Sequence, residues 1–161
     1  MHPPVEAAAV QAYLARHLTE VFATMLSLPA EILADAICGD AKERVSGSVG
    51  FVGETVTGAV YLHVPAAFAG HMTGAMLGLP AEETPGDAEV NDVVGEVTNM
   101  IAGGLKSWLC DAGAACALGT PAIIRGTSFH IIASDGVARI QFGFASGAHR
   151  GLVEAHIKFT N

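Results

Sequence analysis

Residues 89–111 of this chain read EVNDVVGEVTNMIAGGLKSWLCD, and the interpretation of the rest of the sequence depends on this stretch. Apolar residues recur in it every three to four positions, which is the period of one face of an α-helix. These positions are Val90, Val93, Val94, Val97, Ile101, Leu105 and Trp108. The stretch therefore predicts a long helix, with Asp87 as its N-cap because an aspartate side chain can accept hydrogen bonds from unpaired backbone amides.

A polar stripe follows the opposite side of this predicted helix. Its members are Asp92, Glu96, Asn99 and Lys106. Spacings of four, three and seven residues place these side chains on one face. Gly95 and Gly103 lie beside the stripe, although a glycine inside a helix costs about 1 kcal/mol relative to alanine. The small residues and the amide in mid-helix indicate a face that another protein approaches closely, while an ordinary solvated helix face would also explain the stripe.

The segments around this helix alternate between helical and strand patterns. Periodicity predicts one helix within residues 5–28 and another over Ala66–Leu77 that ends at Gly78. Period-two alternation predicts strands at 45–51, 56–64, 121–125, 128–132, 137–144 and 151–159. Residues 32–44 fit a short helix or an irregular strand, and 112–119 and 145–150 fit loops. We therefore expect an α+β fold, an antiparallel β-sheet packed against long α-helices, with pseudo-symmetric helix-plus-hairpin halves.

Composition excludes several classes of function. The 161 residues are 51% hydrophobic and only 15% charged, which suits a single domain over 1–161 with apolar surface left for an oligomer interface. A net charge of −8 without a basic cluster argues against nucleic-acid binding. The sequence has no signal-peptide pattern and no apolar run of the length of a membrane span. Three cysteines without paired spacing are typical of reduced thiols, so we expect a cytoplasmic protein that does not contact membranes.

The motifs of a self-sufficient catalytic site are absent from the sequence. It has no Walker loop, no dinucleotide-binding glycine fingerprint and no Gly-x-Ser-x-Gly elbow. The seven histidines are scattered without the spacing of metal ligands. Any chemistry at the polar stripe is therefore expected to depend on a partner.

The stripe and its surroundings resemble a known family, the CheC/CheX/FliY group of chemotaxis phosphatases, which dephosphorylate the response regulator CheY. The family pattern is an acidic residue or serine, three residues, Glu, two residues, Asn, and a proline further along the chain. Here Asp92, Glu96 and Asn99 are followed, after 21 residues, by Pro121, an interval slightly shorter than the family's. The first helix and the hairpin beginning at 47–51 are also similar, so the resemblance covers nearly the whole chain.

The number of Glu-x-x-Asn motifs distinguishes the branches of this family. Two-site members carry the motif on both long helices, whereas the first helix here has Glu20 and, at the position of the amide, Ala23. One intact motif makes the chain similar to the single-site CheX branch, whose members are homodimers. The resemblance thus implies a single CheX-like domain with the CheC-like fold, and a homodimer.

The resemblance also implies a role for each residue of the stripe. Asn99 would position the water that hydrolyses the aspartyl phosphate of a CheY-like receiver domain, and Glu96 would pair with the receiver's lysine. The receiver would supply Mg²⁺, and this chain would have no cofactor of its own. The docking surface would comprise Asp92, Gly95, Gly103 and Lys106. The alternatives are a non-catalytic module that binds the receiver or another signalling protein, and a structural dimer whose stripe faces solvent.

Overall fold

The computed structural model describes residues 5–36, 38 and 43–160. Its helices and strands in chain order are α1 (Ala7–Val21), extended by a π-helical turn (Phe22–Leu26), β1 (Glu31–Leu33), β2 (Arg44–Gly53), β3 (Val56–Pro65), α2 (Ala66–Leu77), α3 (Asp87–Asp111), β4 (Cys116–Leu118), β5 (Ala122–Gly126), β6 (Ala138–Ser146) and β7 (His149–Phe159). The strands form a seven-stranded antiparallel sheet, and the helices cover one of its faces. The α+β fold expected from the sequence is confirmed.

The sheet is built from two hairpins that meet at its centre. Its strand order is β1-β6-β7-β3-β2, and β4 and β5 pair with successive parts of the free edge of β2. The first half of the chain contains α1 and the hairpin of β2 and β3, and the second half contains α3 and the hairpin of β6 and β7. The strand that follows α1, β1, pairs with β6 of the second half, and the strands that follow α3, β4 and β5, pair with β2 of the first half. The expected pseudo-symmetry is therefore present, with the two halves interleaved.

The hydrophobic core fills the space between the sheet and the helices. Alternate residues of the strands face it, among them Val49, Val60 and Phe142, and the apolar side of α3 packs on them. At Gly47 of β2 the helix lies almost on the strand, because an added Cβ would be 2.0 Å from Oγ1 of Thr98. Asn99 follows Thr98 by about 100° of helix rotation, and its side chain is half-buried rather than buried.

The helix boundaries differ from the sequence prediction at one point. Asp87 is the first residue of α3, and the N-cap is Gly86. The backbone amide of Gly86 donates to Oε1 of Glu89 at 3.1 Å, so a carboxylate from within the first turn satisfies it. The prediction of Asp87 as the N-cap was wrong because the helix begins one residue earlier than that prediction requires, with Asp87 already in its first turn. Within the described residues, no helix is long and apolar enough to cross a lipid bilayer.

Three predictions about strands and loops were also inaccurate. Residues 128–132 form no strand and instead lie against the outer face of the sheet, the face away from the helices, where Phe129 packs under the guanidinium of Arg44 at 4.2 Å. Their apolar residues pack on this face as irregular chain, a role that the period-two pattern alone does not distinguish from a strand. The loop predicted at 112–119 contains β4. The loop predicted at 145–150 is a tight turn at Gly147, whose φ of 60° suits glycine.

Candidate functional site

The polar stripe lies on the side of α3 that faces away from the sheet. Asp92 and Glu96 are exposed, and Asn99 and Lys106 are half-buried. None of the residues that the structure describes forms a hydrogen bond or ion pair with the side chains of Asp92, Glu96 or Asn99. The carboxamide and both carboxylates are therefore available to a group that arrives from outside the subunit.

The segment that joins β4 to β5 forms one wall of this site. A Cβ added at Gly95 would lie 3.7 Å from the ring of Pro121 and 3.7 Å from the side chain of Ile123. A Cβ added at Gly103 would lie 3.9 Å from the side chain of Leu118. Pro121 therefore lies beside the stripe, although 21 residues separate it from Asn99 in sequence.

The two glycines of the stripe lie against a segment of the chain itself. The close approach that they were expected to permit is made by this chain's own residues 118–123, and Gly95 is buried beneath them. The Cβ of an alanine at either position would be in ordinary van der Waals contact with that segment, so only a side chain longer than alanine would displace it. Contact of Gly95 and Gly103 with a partner remains a prediction.

Charge at the site is unevenly distributed. Lys106 lies near β4, where it lowers the pKa of the Cys116 thiol, although burial and Cys110 together raise that pKa above its ordinary value. The carboxylates of Asp92 and Glu96, by contrast, have no cationic side chain of this chain beside them in the described structure. A cationic group of a partner would therefore be attracted to this part of the stripe.

Arg125 fixes the first turns of α3 to the sheet. Its Nε donates to Oδ1 of Asn91 at 2.9 Å, and its Nη1 donates to Oε1 of Glu43 at 2.8 Å. Its Nη2 lies 3.7 Å from a carboxylate oxygen of Asp87. The sequence analysis missed this arginine because its partners are 34 and 82 residues away, and no local pattern joins them.

A second group of polar side chains, the outer-face network, lies on the other side of the sheet. Oγ of Ser46 is 2.6 Å from Nδ1 of His63, whose Nε2 is 3.2 Å from Oε1 of Glu154. Oε2 of Glu154 accepts from Nε of Arg139 and is also 3.2 Å from Nε2 of His156. Burial raises the pKa of Glu154, but the nearby imidazole of His63 and the hydrogen bonds from Arg139 and His156 outweigh it and lower that pKa from 4.5 to about 2.

The outer-face network is structural rather than catalytic. Its order of serine, histidine and carboxylate resembles that of a hydrolase triad, but Ser46, His63 and Glu154 are at most 4% exposed, so a substrate cannot reach the hydroxyl. The contact between His63 and Glu154 has the distance of an ion pair but not the alignment of a hydrogen bond. Across the described parts of the chain, no three His, Cys, Asp or Glu side chains converge closely enough to hold a metal ion.

Comparison with known proteins relates the site to a family. A family model described as chemotaxis phosphatase CheX matches residues 45–145, which include the whole stripe and Pro121. No curated protein matches the chain.

Solved structures show the same fold over almost the whole chain. The chemotaxis protein CheX of Vibrio vulnificus is 28% identical, with a TM-score of 0.80, and the match covers 96% of this chain and 100% of that one. A CheC-like superfamily protein of Shewanella sp. PV-4 is 29% identical, with a TM-score of 0.74, over 92% and 97% of the two chains. A CheX–CheY–BeF3–Mg²⁺ complex of Borrelia burgdorferi matches at 20% identity, with a TM-score of 0.68, over 98% and 100%.

Proposed function

Because this chain belongs to the CheX family of chemotaxis phosphatases, we propose that it hydrolyses the aspartyl phosphate of a CheY-like receiver domain. The observation that carries this proposal is the state of Asn99. Its carboxamide lies on a helix that is held to the sheet, one turn from Gly95, which Pro121 contacts, and no other described residue of the chain engages it. A polar group in such a position is available to an incoming substrate.

In this proposal Asn99 orients the attacking water. A carboxamide can accept a hydrogen bond through its oxygen and donate through its nitrogen, so it can hold a water molecule in line with the phosphorus atom. The water oxygen then bonds to phosphorus as the bond to the aspartate oxygen breaks. Inorganic phosphate leaves, and the receiver's aspartate returns to its free carboxylate.

Glu96 binds the receiver in the same proposal. It is one turn from Asn99 on the same face, and its carboxylate has no partner among the described residues. A lysine of the receiver's active site would form a charge-assisted hydrogen bond with it. Asp92, Gly95, Gly103 and Lys106 would complete the docking surface.

The receiver would bring the cation that phosphoryl transfer requires. The related complex from Borrelia burgdorferi contains CheX, CheY, BeF3 and Mg²⁺, and we propose that here too the receiver holds Mg²⁺. A 10- to 100-fold acceleration over the receiver's own hydrolysis needs only about 1.4–2.7 kcal/mol of transition-state stabilisation. An oriented water and an ion pair at the interface can supply that amount.

The decisive experiment removes the amide of Asn99. Asn99→Ala should abolish the acceleration of phosphate loss from a cognate phosphorylated receiver, while binding to the BeF3-activated receiver is retained. Gln11→Ala, which removes an exposed amide from α1, is the matched control and should keep full activity. If the wild-type protein binds the receiver but phosphate is lost at the same rate without it, the protein is a non-catalytic binding module.

A second experiment tests Glu96. Glu96→Ala should raise the receiver concentration needed for half-maximal turnover and also lower the maximal rate. Both effects are expected because the ion pair would bind the receiver and also align α3 with the receiver's active site. Glu82→Ala removes an exposed carboxylate from the loop before α3 and serves as the control. Unchanged turnover at every receiver concentration would refute the role assigned to Glu96.

We also propose that the protein acts as a single CheX-like domain, as a homodimer and in the cytoplasm, where receiver domains act. In the described structure, β5 pairs with β2 on one side and presents its other edge to solvent, so it offers backbone groups to a second copy. Sedimentation velocity at micromolar concentration should give the mass of two chains. A monomer under these conditions would contradict the proposed dimer.

A further inference from the structure

One hydrogen bond links the two long helices at the level of the proposed water-positioning amide. Nε2 of His17 in α1 lies 3.0 Å from the backbone oxygen of Met100, the residue that follows Asn99 in α3. Because a carbonyl oxygen can only accept, Nε2 must carry the proton in this contact. Nδ1, on the other side of the ring, lies 3.8 Å from a carboxylate oxygen of Glu20. The hydrogen bond to Met100 is the polar contact that orients the ring, since the distance to Glu20 is too long for a hydrogen bond.

Gly104 creates the space that the ring of His17 occupies. A Cβ at Gly104 would lie 2.2 Å from Nε2 and 2.4 Å from Cδ2 of His17, closer than a side chain can tolerate. Gly104 is one helical turn beyond Met100, on the same side of α3. Glycine at this position therefore lets the imidazole reach the backbone of α3.

Stacked aromatic rings hold His17 in this orientation. The ring of Tyr13, one turn earlier in α1, stacks on His17 with centroids 5.6 Å apart and an interplanar angle of 17°. Tyr13 also stacks on Trp108 of α3, with centroids 5.5 Å apart and an interplanar angle of 22°. The three rings join α1 to α3 beside Gly104.

We propose that His17 is a positioning residue for Asn99, an inference that rests on the proposed function. The hydrogen bond to Met100 fixes the position of α3 along the axis of α1, at the residue next to Asn99. Asn99 can align a water only if its backbone does not slide along the neighbouring helix. A displacement of about 1 Å at a reacting centre can lower a rate about 100-fold, so a small shift of α3 would be measurable.

The test compares two amides at position 17 in the full-length protein. The terminal nitrogen of glutamine reaches about as far as Nε2 of histidine, whereas that of asparagine reaches only as far as Nδ1. His17→Asn and His17→Ala should lower kcat by about 3- to 10-fold, a fraction of the effect of a 1 Å displacement, and change KM for the receiver less than twofold. His17→Gln should retain kcat within about twofold, since it restores the donor.

Gly104→Ala tests the same contact from α3. The added methyl group should expel the His17 ring and lower kcat by about as much as His17→Ala does. The double variant should be no slower than either single variant, because both remove one interaction. Gly74→Ala, at a helical glycine of α2 with nothing within 4 Å of the new Cβ, controls for the helix propensity of alanine and should keep full activity.

Fluorescence reports on the stack independently of activity. Trp108 is the only tryptophan of the chain and stacks on Tyr13, so its emission should shift in Gly104→Ala and in every variant that removes the His17 ring from the stack, His17→Gln included. An unchanged kcat in His17→Ala, or equal losses in the glutamine and asparagine variants, would overturn the positioning role. If Asn99→Ala itself retains full activity, the proposed function fails instead, and the two failures are distinguishable.

Discussion

The polar stripe on α3 and the outer-face network lie on opposite sides of the molecule. They differ in whether their polar side chains contact other residues of the chain. In the stripe, Glu96 and Asn99 face outwards and no other described residue of the chain engages them. In the network, Ser46, His63 and Glu154 are buried, and neighbouring strands supply their contacts. Both groups contain carboxylates and hydrogen-bonding side chains, so composition alone does not separate them.

The difference between the two groups is whether the chain satisfies its own polar side chains. A buried polar group that is paired contributes to folding, and losing its partner is costly. An exposed polar group without a partner contributes little to folding and remains available to a ligand. We therefore expect substitutions in the network to change stability without changing turnover, and substitutions in the stripe to do the reverse.

The largest expected effect on stability is at Glu154. Glu154→Gln should lower the free energy of unfolding by about 1–3 kcal/mol, because His63, His156 and Arg139 lose the anion that they surround. Urea unfolding followed by the fluorescence of Trp108 would measure it. Turnover of the folded variant should equal that of the wild type. A loss of turnover without a loss of stability would contradict the expectation that the network serves folding rather than activity.

Acid should reduce the advantage of the wild type over Glu154→Gln. The pKa of Glu154 is about 2 in the folded protein and 4.5 for an unperturbed group, so its stabilisation is complete above about pH 4.5 and declines as the pH falls towards 2. At pH 3.5 the difference in unfolding free energy between wild type and variant should be about 1.4 kcal/mol smaller than at pH 6. A difference that stays constant between these pH values would show that Glu154 is not held ionised by the network.

A smaller loss of stability is expected at Ser46. Ser46→Ala removes the hydroxyl that lies 2.6 Å from Nδ1 of His63 and should lower the free energy of unfolding by about 1 kcal/mol. Ser48→Ala, two residues along the same strand and half-buried, provides the control and should have a smaller effect. Equal losses in the two variants would mean that the hydrogen bond to His63 adds nothing.

The smallest effect on stability is expected at Asn99. Asn99→Ala should change the free energy of unfolding by less than about 0.5 kcal/mol, since the side chain has no partner within the described chain. The same variant should lose its phosphatase activity. A destabilisation of the size predicted for Glu154→Gln would show that Asn99 has a role in folding and would remove the contrast between stripe and network.

Elements with local signals could be predicted from the sequence. The helix expected over Ala66–Leu77 has these bounds in the structure, and Gly78 follows it with a φ of 65°. The hairpin of β2 and β3 was also predicted, because its alternation and its glycine-containing turn are local. Residues 128–132 were assigned to a strand wrongly, since Phe129 packs on Arg44 and His63 at the outer face of the sheet, and a local pattern does not show such a tertiary contact.

The part of the candidate site that lies within one helix could be predicted from the sequence, because its signal is local. Helical spacing placed Asp92, Glu96 and Asn99 on one face, whereas the link to Pro121 came from the resemblance to a family. The contact of His17 with Met100 spans 83 residues, and the outer-face network joins β2, β3, β6 and β7. Contacts of this kind depend on tertiary structure, and no periodicity within one segment encodes them.

The interleaving of the two halves has a consequence for how the chain can be divided. Since β1 completes the sheet beside β6, and β5 completes it beside β2, a fragment that ends near residue 80 would leave its own hairpin without a neighbour on either side. Bare strand edges attract other strands, so the separated fragments would aggregate or recombine with each other rather than fold alone. A break in the chain between the halves is therefore compatible with the native sheet only if both pieces remain together.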